Sequence, residues 1–154
     1  MTRITARQIA IQLLFSMESN SLTADETIEL FFSEDHYGTL LDEDPGFQEL
    51  PDPDQMQYIR SIIEKTNSHL EEIDHVIVRY SRGWKKERLS KATLAILRCA
   101  VCEILYMDDI PDSAAVNEAV EFGKRFDSPE SAAFINGILG SFLRDEKTDE
   151  TEQK

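Results

Sequence analysis

The chain has 154 residues, of which 41% are apolar, and its formal net charge at pH 7 is −14. This length suffices for one compact domain or for two small halves that share a core. No window approaches the roughly 20 apolar residues that a membrane-spanning helix requires, and no secretory cleavage site follows the apolar N-terminal run, so the sequence predicts a cytoplasmic protein.

The acidic charge is concentrated in two segments. Residues 18–54 contain twelve acidic residues and no Lys or Arg, and residues 145–154 contain five acidic residues and two lysines. Together these segments carry −15, so the rest of the chain carries about +1. A strongly acidic total usually argues against nucleic-acid binding, because phosphate contacts come from Lys and Arg, but this distribution leaves such binding open. Residues 145–154 are predicted to form an acidic disordered tail.

The first two predicted helices lie within the first third of the chain. One extends from about Thr5 to Met17, with a buried stripe at helical spacing. This stripe consists of Ile9, Ala10, Leu13, Leu14 and Met17. The next begins at the capping box Thr23-x-x-Glu26. Residues 33–53, rich in acids and punctuated by Gly and Pro, predict a long solvated connection.

Two further helices follow this connection. One begins at Asp52-Pro53-x-Gln55, where Pro occupies the first helical position and Gln55 is expected to complete a capping box. The other extends from about Leu70 to Tyr80, with apolar residues at helical spacing.

The last three predicted helices are more apolar. The segment from about Ser90 to Tyr106 is apolar nearly all round, which predicts a central, buried helix. The next runs from Pro111 to about Arg125, and the last begins at the Ser128 N-cap. Within the last helix, the dipeptide at 136–137 (Asn-Gly) is predicted to allow close approach of a neighbouring backbone. With no strand signal, the fold class is all-α with about seven helices.

A basic segment, "RYSRGWKKERLSK" at residues 79–91, contains six of the sixteen Lys and Arg residues. Its aromatic residues are Tyr80 and Trp84, which we predict to be packed at a helical junction because aromatic rings at such corners bury a large area. The surrounding cations are then a partly solvated rim.

Two features resemble chemical sites but favour structural roles. Cys99 and Cys102 form a CxxC within an apolar helix, no histidine recurs at a ligand spacing, and the pattern favours two core thiols over a metal or redox site. Buried charge is costly unless it is paired, so the polar residues of the fifth and sixth helices are predicted to bond to one another or to helix ends. These residues are Arg98, Glu103, Asn117 and Glu118.

Four motifs in order resemble the NusB family of transcription antitermination proteins: "ARQIAIQLLF", "ILRCAVCEIL", "DIPDSAAVNEAVEFGKRF" and "SAAFINGIL". They extend over residues 6–139. The resemblance implies seven helices in two packed three-helix bundles, here one NusB-like domain at 1–144 with halves at about 1–80 and 81–144. It implies no enzymatic activity and no cofactor.

The resemblance also implies partners. Family members bind the boxA element of nascent ribosomal RNA together with NusE, a small-subunit ribosomal protein, and act with NusA, NusG and RNA polymerase. Some dimerise, and the sequence leaves open whether this chain forms a homodimer. An alternative is a helical scaffold that binds NusE with little RNA affinity of its own.

Site residues are transferred from the family's motifs one by one. The RNA-binding set implied by the resemblance consists of Arg3, Arg7, Phe15, Lys124, Arg125, Glu130 and Ser131. Phe15 keeps a ring on which a base can stack. The NusE-binding set consists of Glu87, Arg88, Lys91 and Thr93. About four phosphate contacts predict weak RNA binding by the chain alone.

Overall fold

The computed structural model describes residues 1–18, 21–33, 51–81 and 89–152, with side chains described through residue 145. Within these ranges the chain forms seven α-helices and no strand, which confirms the all-α prediction. The helices are α1 (Arg3–Met17), α2 (Ala24–Phe31), α3 (Pro53–Ser68), α4 (Leu70–Tyr80), α5 (Lys91–Tyr106), α6 (Asp112–Phe126) and α7 (Pro129–Glu152). Across the same part of the chain, no helix combines the length and apolarity needed to cross a membrane.

Side-chain caps fix several helix starts where the sequence predicts them. Thr23 and Glu26 form a complete capping box at α2. The Ser90 and Ser128 hydroxyls accept the backbone N–H groups of Thr93 and Ser131, each over 3.0 Å. These bonds satisfy amide groups that have no partner within their own helix.

The predicted capping box at α3 is only half formed. Asp52 Oδ1 accepts the backbone N–H of Gln55 over 3.0 Å, as expected of an N-cap. The Gln55 side chain, however, accepts a hydrogen bond from Arg3 Nε over 2.7 Å. A charged donor from α1 therefore occupies the Gln55 carbonyl, and Gln55 links two helices.

The chain divides into two compact units. The first comprises Met1–Ser68, in which α1, α2 and α3 pack against one another. Its fully buried large side chains are Ile9, Leu13, Ile59, Ile62 and Ile63. Burying each such residue contributes about 1.5–3 kcal/mol, so this apolar interior holds the three helices together.

The second unit comprises His69–Lys154, in which α5 contacts α4, α6 and α7. Every residue from Thr93 to Glu103 is buried, which confirms that α5 is the central helix of this unit. Cys99 and Cys102 are among these buried residues and are free thiols, as predicted for core cysteines.

Two expectations differ from the structure. The boundary between units lies between Ser68 and His69, one helix earlier than expected, because α4 buries Ile73 and Ile77 and packs on α5 and α7. The backbone of α7 is helical to Glu152. Close backbone approach occurs at Gly123 of α6, where an added Cβ would lie 3.1 Å from Ala132 Cα, and Gly137 has no such neighbour.

Candidate nucleic-acid interface

Arg3, at the start of α1, is held in place on the surface of the first unit. Its guanidinium lies 4.3 Å from the centre of the Tyr58 ring, and its Nε donates to Gln55. The side chain is half-buried, so part of the cation faces solvent in a defined position. Arg3 can therefore contact an anion with less loss of conformational entropy than a free surface arginine.

Arg7 differs from the predicted RNA contact because its side chain is buried. It lies one turn after Arg3 on the same face of α1, with only 6% of its surface exposed. Its guanidinium lies 5.6 Å from the centre of the same Tyr58 ring. A guanidinium so enclosed presents little surface to a phosphate, so the geometry favours a structural role for Arg7.

Two large apolar side chains are exposed on the outward face of α1. Phe15 is 45% exposed and Ile4 is 48% exposed, and their spacing places them on one face of the helix. An exposed ring is a platform on which an unpaired base can stack. The structure thus leaves Phe15 accessible for the role that the family resemblance implies. Ile4 was missed because periodicity identifies the buried stripe and says little about the opposite face.

The C-terminal turn of α6 presents two exposed cations in the second unit. Lys124 Nζ lies 3.4 Å from Glu121 Oε1, so its charge is partly neutralised. The Arg125 guanidinium lies 5.0 Å from the centre of the Phe126 ring, and this ring is itself 48% exposed. Phe126 adds an aromatic surface that sequence analysis missed, although the adjacent basic pair marks its position.

The N-terminus of α7 adjoins the predicted partner residues of α5 through one carboxylate. Asp127 Oδ2 accepts hydrogen bonds from Thr93 Oγ1 over 2.7 Å and from Ser90 Oγ over 3.1 Å. The Ser131 hydroxyl also helps to lower the pKa of this carboxylate. The hydrogen bond from Thr93 is the largest of the effects that lower the pKa of Asp127. Sequence analysis missed Asp127, which joins Thr93 and Ser90 to the connection between α6 and α7.

The remaining predicted contact residues differ in exposure. Glu130 and Lys91 are exposed at the starts of α7 and α5. Thr93 is only 4% exposed and its hydroxyl is directed to Asp127, so it positions the start of α5 instead of presenting a contact surface. Glu87 and Arg88 lie outside the described residues, as does Trp84.

The partner of Arg98 is a residue outside the predicted polar network. Arg98 donates through Nε and Nη2 to the two carboxylate oxygens of Asp74, each over 2.9 Å. Glu103 is 1% exposed and accepts a hydrogen bond from Cys99 Sγ over 3.5 Å. Asn117 is exposed and therefore requires no buried partner.

Two further residues from the sequence analysis remain, one from the predicted polar network and one from the basic segment 79–91. Glu118 is half-buried. Tyr80 packs against Phe142 with ring centres 5.7 Å apart, as expected of a packed junction residue. Within the described ranges, no cluster of three or more His, Cys, Asp or Glu residues could hold a metal ion.

Comparison with known proteins identifies the family. The model of the NusB family matches residues 4–144. The transcription antitermination protein NusB of Thermoanaerobacter sp. (strain X514) is 38% identical over 152 residues, which cover 99% of this chain and 97% of that protein. The NusB protein of Natranaerobius thermophilus is 39% identical over 139 residues, covering 90% and 92% of the two chains.

Solved structures share the fold. A crystal structure of T. maritima NusB has a TM-score of 0.75 at 27% identity and covers 94% of this chain and 92% of that chain. A structure of the antitermination factors NusB and NusE in complex with dsRNA has a TM-score of 0.72 at 20% identity, covering 93% and 96%. The chain belongs to the NusB family of transcription antitermination proteins, which are not enzymes.

Proposed function

We propose that this protein binds the boxA element of nascent ribosomal RNA together with NusE and so helps RNA polymerase to resist termination. The observation that carries this proposal is the Arg125–Phe126 pair, in which an exposed guanidinium lies over an exposed ring. A cation and an aromatic face side by side suit single-stranded RNA, because one can contact a phosphate while the other stacks on a base.

Two further observations support RNA as the ligand. Phe15 supplies a second exposed ring on the first unit, and Arg3, twelve residues earlier on the same helix, is held on the Tyr58 ring. The solved complex of a NusB protein with NusE and dsRNA has the same fold as this chain. NusA, NusG and RNA polymerase are the further partners expected of this function, which would be exercised in the cytoplasm.

Few cations are available for the RNA backbone. With Arg7 buried, the cationic members of the proposed RNA-binding set are Arg3, Lys124 and Arg125. Three phosphate contacts on a single strand give a slope of log affinity against log salt of about −2. Binding by the chain alone should therefore be weak, and a basic partner such as NusE should strengthen it.

The second candidate function is a helical scaffold that binds NusE with little RNA affinity. The burial of Arg7 and the neutralisation of Lys124 by Glu121 favour this alternative. In this alternative, the exposed surface around Lys91 would bind NusE and would make no contact with RNA.

A fluorescence-anisotropy titration separates the two functions. Labelled boxA RNA and a scrambled RNA of the same length are titrated with the protein, with and without NusE. We expect selective binding of boxA that NusE strengthens. Binding of NusE with equal affinities for the two RNAs would support the scaffold and contradict the antitermination mechanism.

A further inference from the structure

The second unit contains a polar cavity at one end of α4. It has a volume of about 440 Å³ and lies where the end of α4 meets α7. Its lining consists of Arg79, Tyr80, Ser141, Arg144 and Asp145. None of these residues belongs to the proposed RNA-binding or NusE-binding sets.

The cavity is built on a packed aromatic pair. Tyr80 packs against Phe142, which is buried, and this contact fixes the tyrosine ring at the cavity wall. The Arg79 guanidinium lies 5.4 Å from the centre of the Tyr80 ring. A guanidinium on an aromatic face keeps its N–H groups available around its edge. Tyr80 thereby orients Arg79 without consuming its hydrogen-bond donors.

A second guanidinium lines the cavity from α7. Arg144 Nη2 donates to Ser141 Oγ over 3.2 Å, so this side chain lies along α7 toward the cavity residue one turn earlier. The Arg144 side chain is exposed. Two guanidinium groups from two different helices therefore line one cavity, which is the arrangement that binds a tetrahedral anion through several N–H donors.

The charge of the lining is positive in a chain whose net charge is −14. Two arginines face one carboxylate, Asp145, which leaves one net positive charge. Among the described residues Arg79 has no ion pair, whereas Arg60 is paired with Asp25 and Arg98 with Asp74. A guanidinium without an ion pair at a concave surface of net positive charge favours an anionic ligand.

We propose that this cavity binds a phosphate group of the RNA backbone, an inference that rests on the proposed function. Along α7, Ser131 and Arg144 are separated by about 20 Å at 1.5 Å per residue. A strand stacked at about 3.4 Å per nucleotide needs about six nucleotides to reach from the start of α7 to the cavity, and an unstacked strand needs fewer. The cavity thus engages the backbone beyond the bases held near Arg125, and contributes affinity without sequence preference.

The first test measures the salt dependence of RNA binding. If the two cavity arginines add to the three phosphate contacts of the proposed RNA-binding set, the slope of log affinity against log salt should be about −3.5 for the unaltered chain. The double variant Arg79→Gln/Arg144→Gln loses two of these contacts, so its slope should be shallower by about 1.4, at about −2. Affinities for boxA and scrambled RNA should fall by the same factor. The matched control is Arg60→Gln, which also removes one surface guanidinium but lies on the first unit beside Asp25; it should leave the slope unchanged.

RNA length gives an internal control. A dinucleotide is too short to reach both surfaces, so the double variant should weaken its binding by a smaller factor than it weakens the binding of long RNA. Circular dichroism of the double variant should be unchanged, because both side chains are exposed. A slope that the double variant leaves unchanged with long RNA would overturn the proposal.

The second test uses inorganic phosphate and does not depend on RNA binding. The Nε–H NMR signals of Arg79 and Arg144 should shift and saturate as phosphate is added at constant ionic strength, with chloride as the control. Shifts without any RNA binding would support phosphate recognition and overturn the proposed function. A glutamate-rich peptide is added in a separate titration to test for a carboxylate ligand. If phosphate causes no shifts, or if only the peptide causes them, the cavity is not a phosphate site.

Discussion

Thr93 Oγ1 donates a hydrogen bond to Asp127 Oδ2 over 2.7 Å, and this bond joins the start of α5 to the connection between α6 and α7. Ser90 Oγ donates to the same carboxylate over 3.1 Å, and the Ser131 hydroxyl contributes to its lowered pKa. One acidic side chain therefore ties the start of α5 to the connection that precedes α7. Lys91, proposed to meet NusE, and Glu130, proposed to meet RNA, each lie within three residues of these hydroxyls.

Removal of the Thr93 hydroxyl should weaken this junction in a pH-dependent way. The pKa of Asp127 is lowered first by the bond from Thr93, so the unfolded chain binds more protons at acidic pH than the folded chain. The contribution is complete above the ordinary Asp pKa of about 3.9 and is lost as the pH falls through the lowered value. Thr93→Val should cost about 1 kcal/mol at pH 7, since Asp127 is exposed.

Two measurements check this expectation. Urea unfolding gives the difference in unfolding free energy between Thr93→Val and the unaltered chain, which should shrink at acidic pH. An NMR titration of the Asp127 carboxyl should show its pKa rising toward the ordinary value in the variant. Glu121→Gln, which alters an exposed acid on α6, should change stability by less than about 0.5 kcal/mol. A pKa of Asp127 that is the same with and without the hydroxyl would contradict this role.

The buried pair of Arg98 and Asp74 should be costly to break from one side. The side chains are 6% and 13% exposed and share two hydrogen bonds of 2.9 Å. Asp74→Ala leaves a buried guanidinium without its carboxylate and should lower the unfolding free energy by about 3–5 kcal/mol. The double variant Asp74→Ala/Arg98→Met should recover part of this loss, because it removes the uncompensated charge.

An exposed pair in the same chain provides the comparison. Arg60 bonds to Asp25, and their side chains are 43% and 74% exposed. Asp25→Ala should cost less than about 1 kcal/mol, since solvent replaces the lost partner. Equal losses in the two single variants, measured by denaturant unfolding, would show that burial does not determine the strength of the Arg98–Asp74 pair.

Features that depend on residues close together in the sequence could be predicted, whereas contacts between residues far apart in the sequence could not. Helix starts depend on residues three apart, so the capping box at Thr23 and the Ser128 cap were predicted correctly. Arg98 and Asp74 are 24 residues apart, and Thr93 and Asp127 are 34 apart, so neither pair produces a local pattern. The same reason applies to the wider site: helical spacing places a residue on a face, but the neighbouring helix decides whether that face is exposed.

Phe15 should contribute to RNA binding and not to stability. Its ring is 45% exposed, so Phe15→Ala removes little buried area. If one base stacks on the ring, the variant should lose about 1–3 kcal/mol of RNA-binding free energy in the anisotropy titration. Leu30→Ala, on α2 of the same unit, is the control because this side chain is also exposed and apolar. Equal affinities of the Phe15 variant and the unaltered chain would remove Phe15 from the RNA surface.

Two glycines of the second unit should respond oppositely to the same substitution. A Cβ at Gly123 would lie 3.0 Å from Ile135 Cδ1 and 3.1 Å from Ala132 Cα, so Gly123→Ala should cost about 1–3 kcal/mol by forcing α6 and α7 apart. A Cβ at Gly137 would meet no atom within 4 Å, so Gly137→Ala should stabilise by about 0.5–1 kcal/mol through helix propensity. Thermal unfolding of both variants tests this contrast; destabilisation by Gly137→Ala would show that close approach also occurs there, as the sequence predicted.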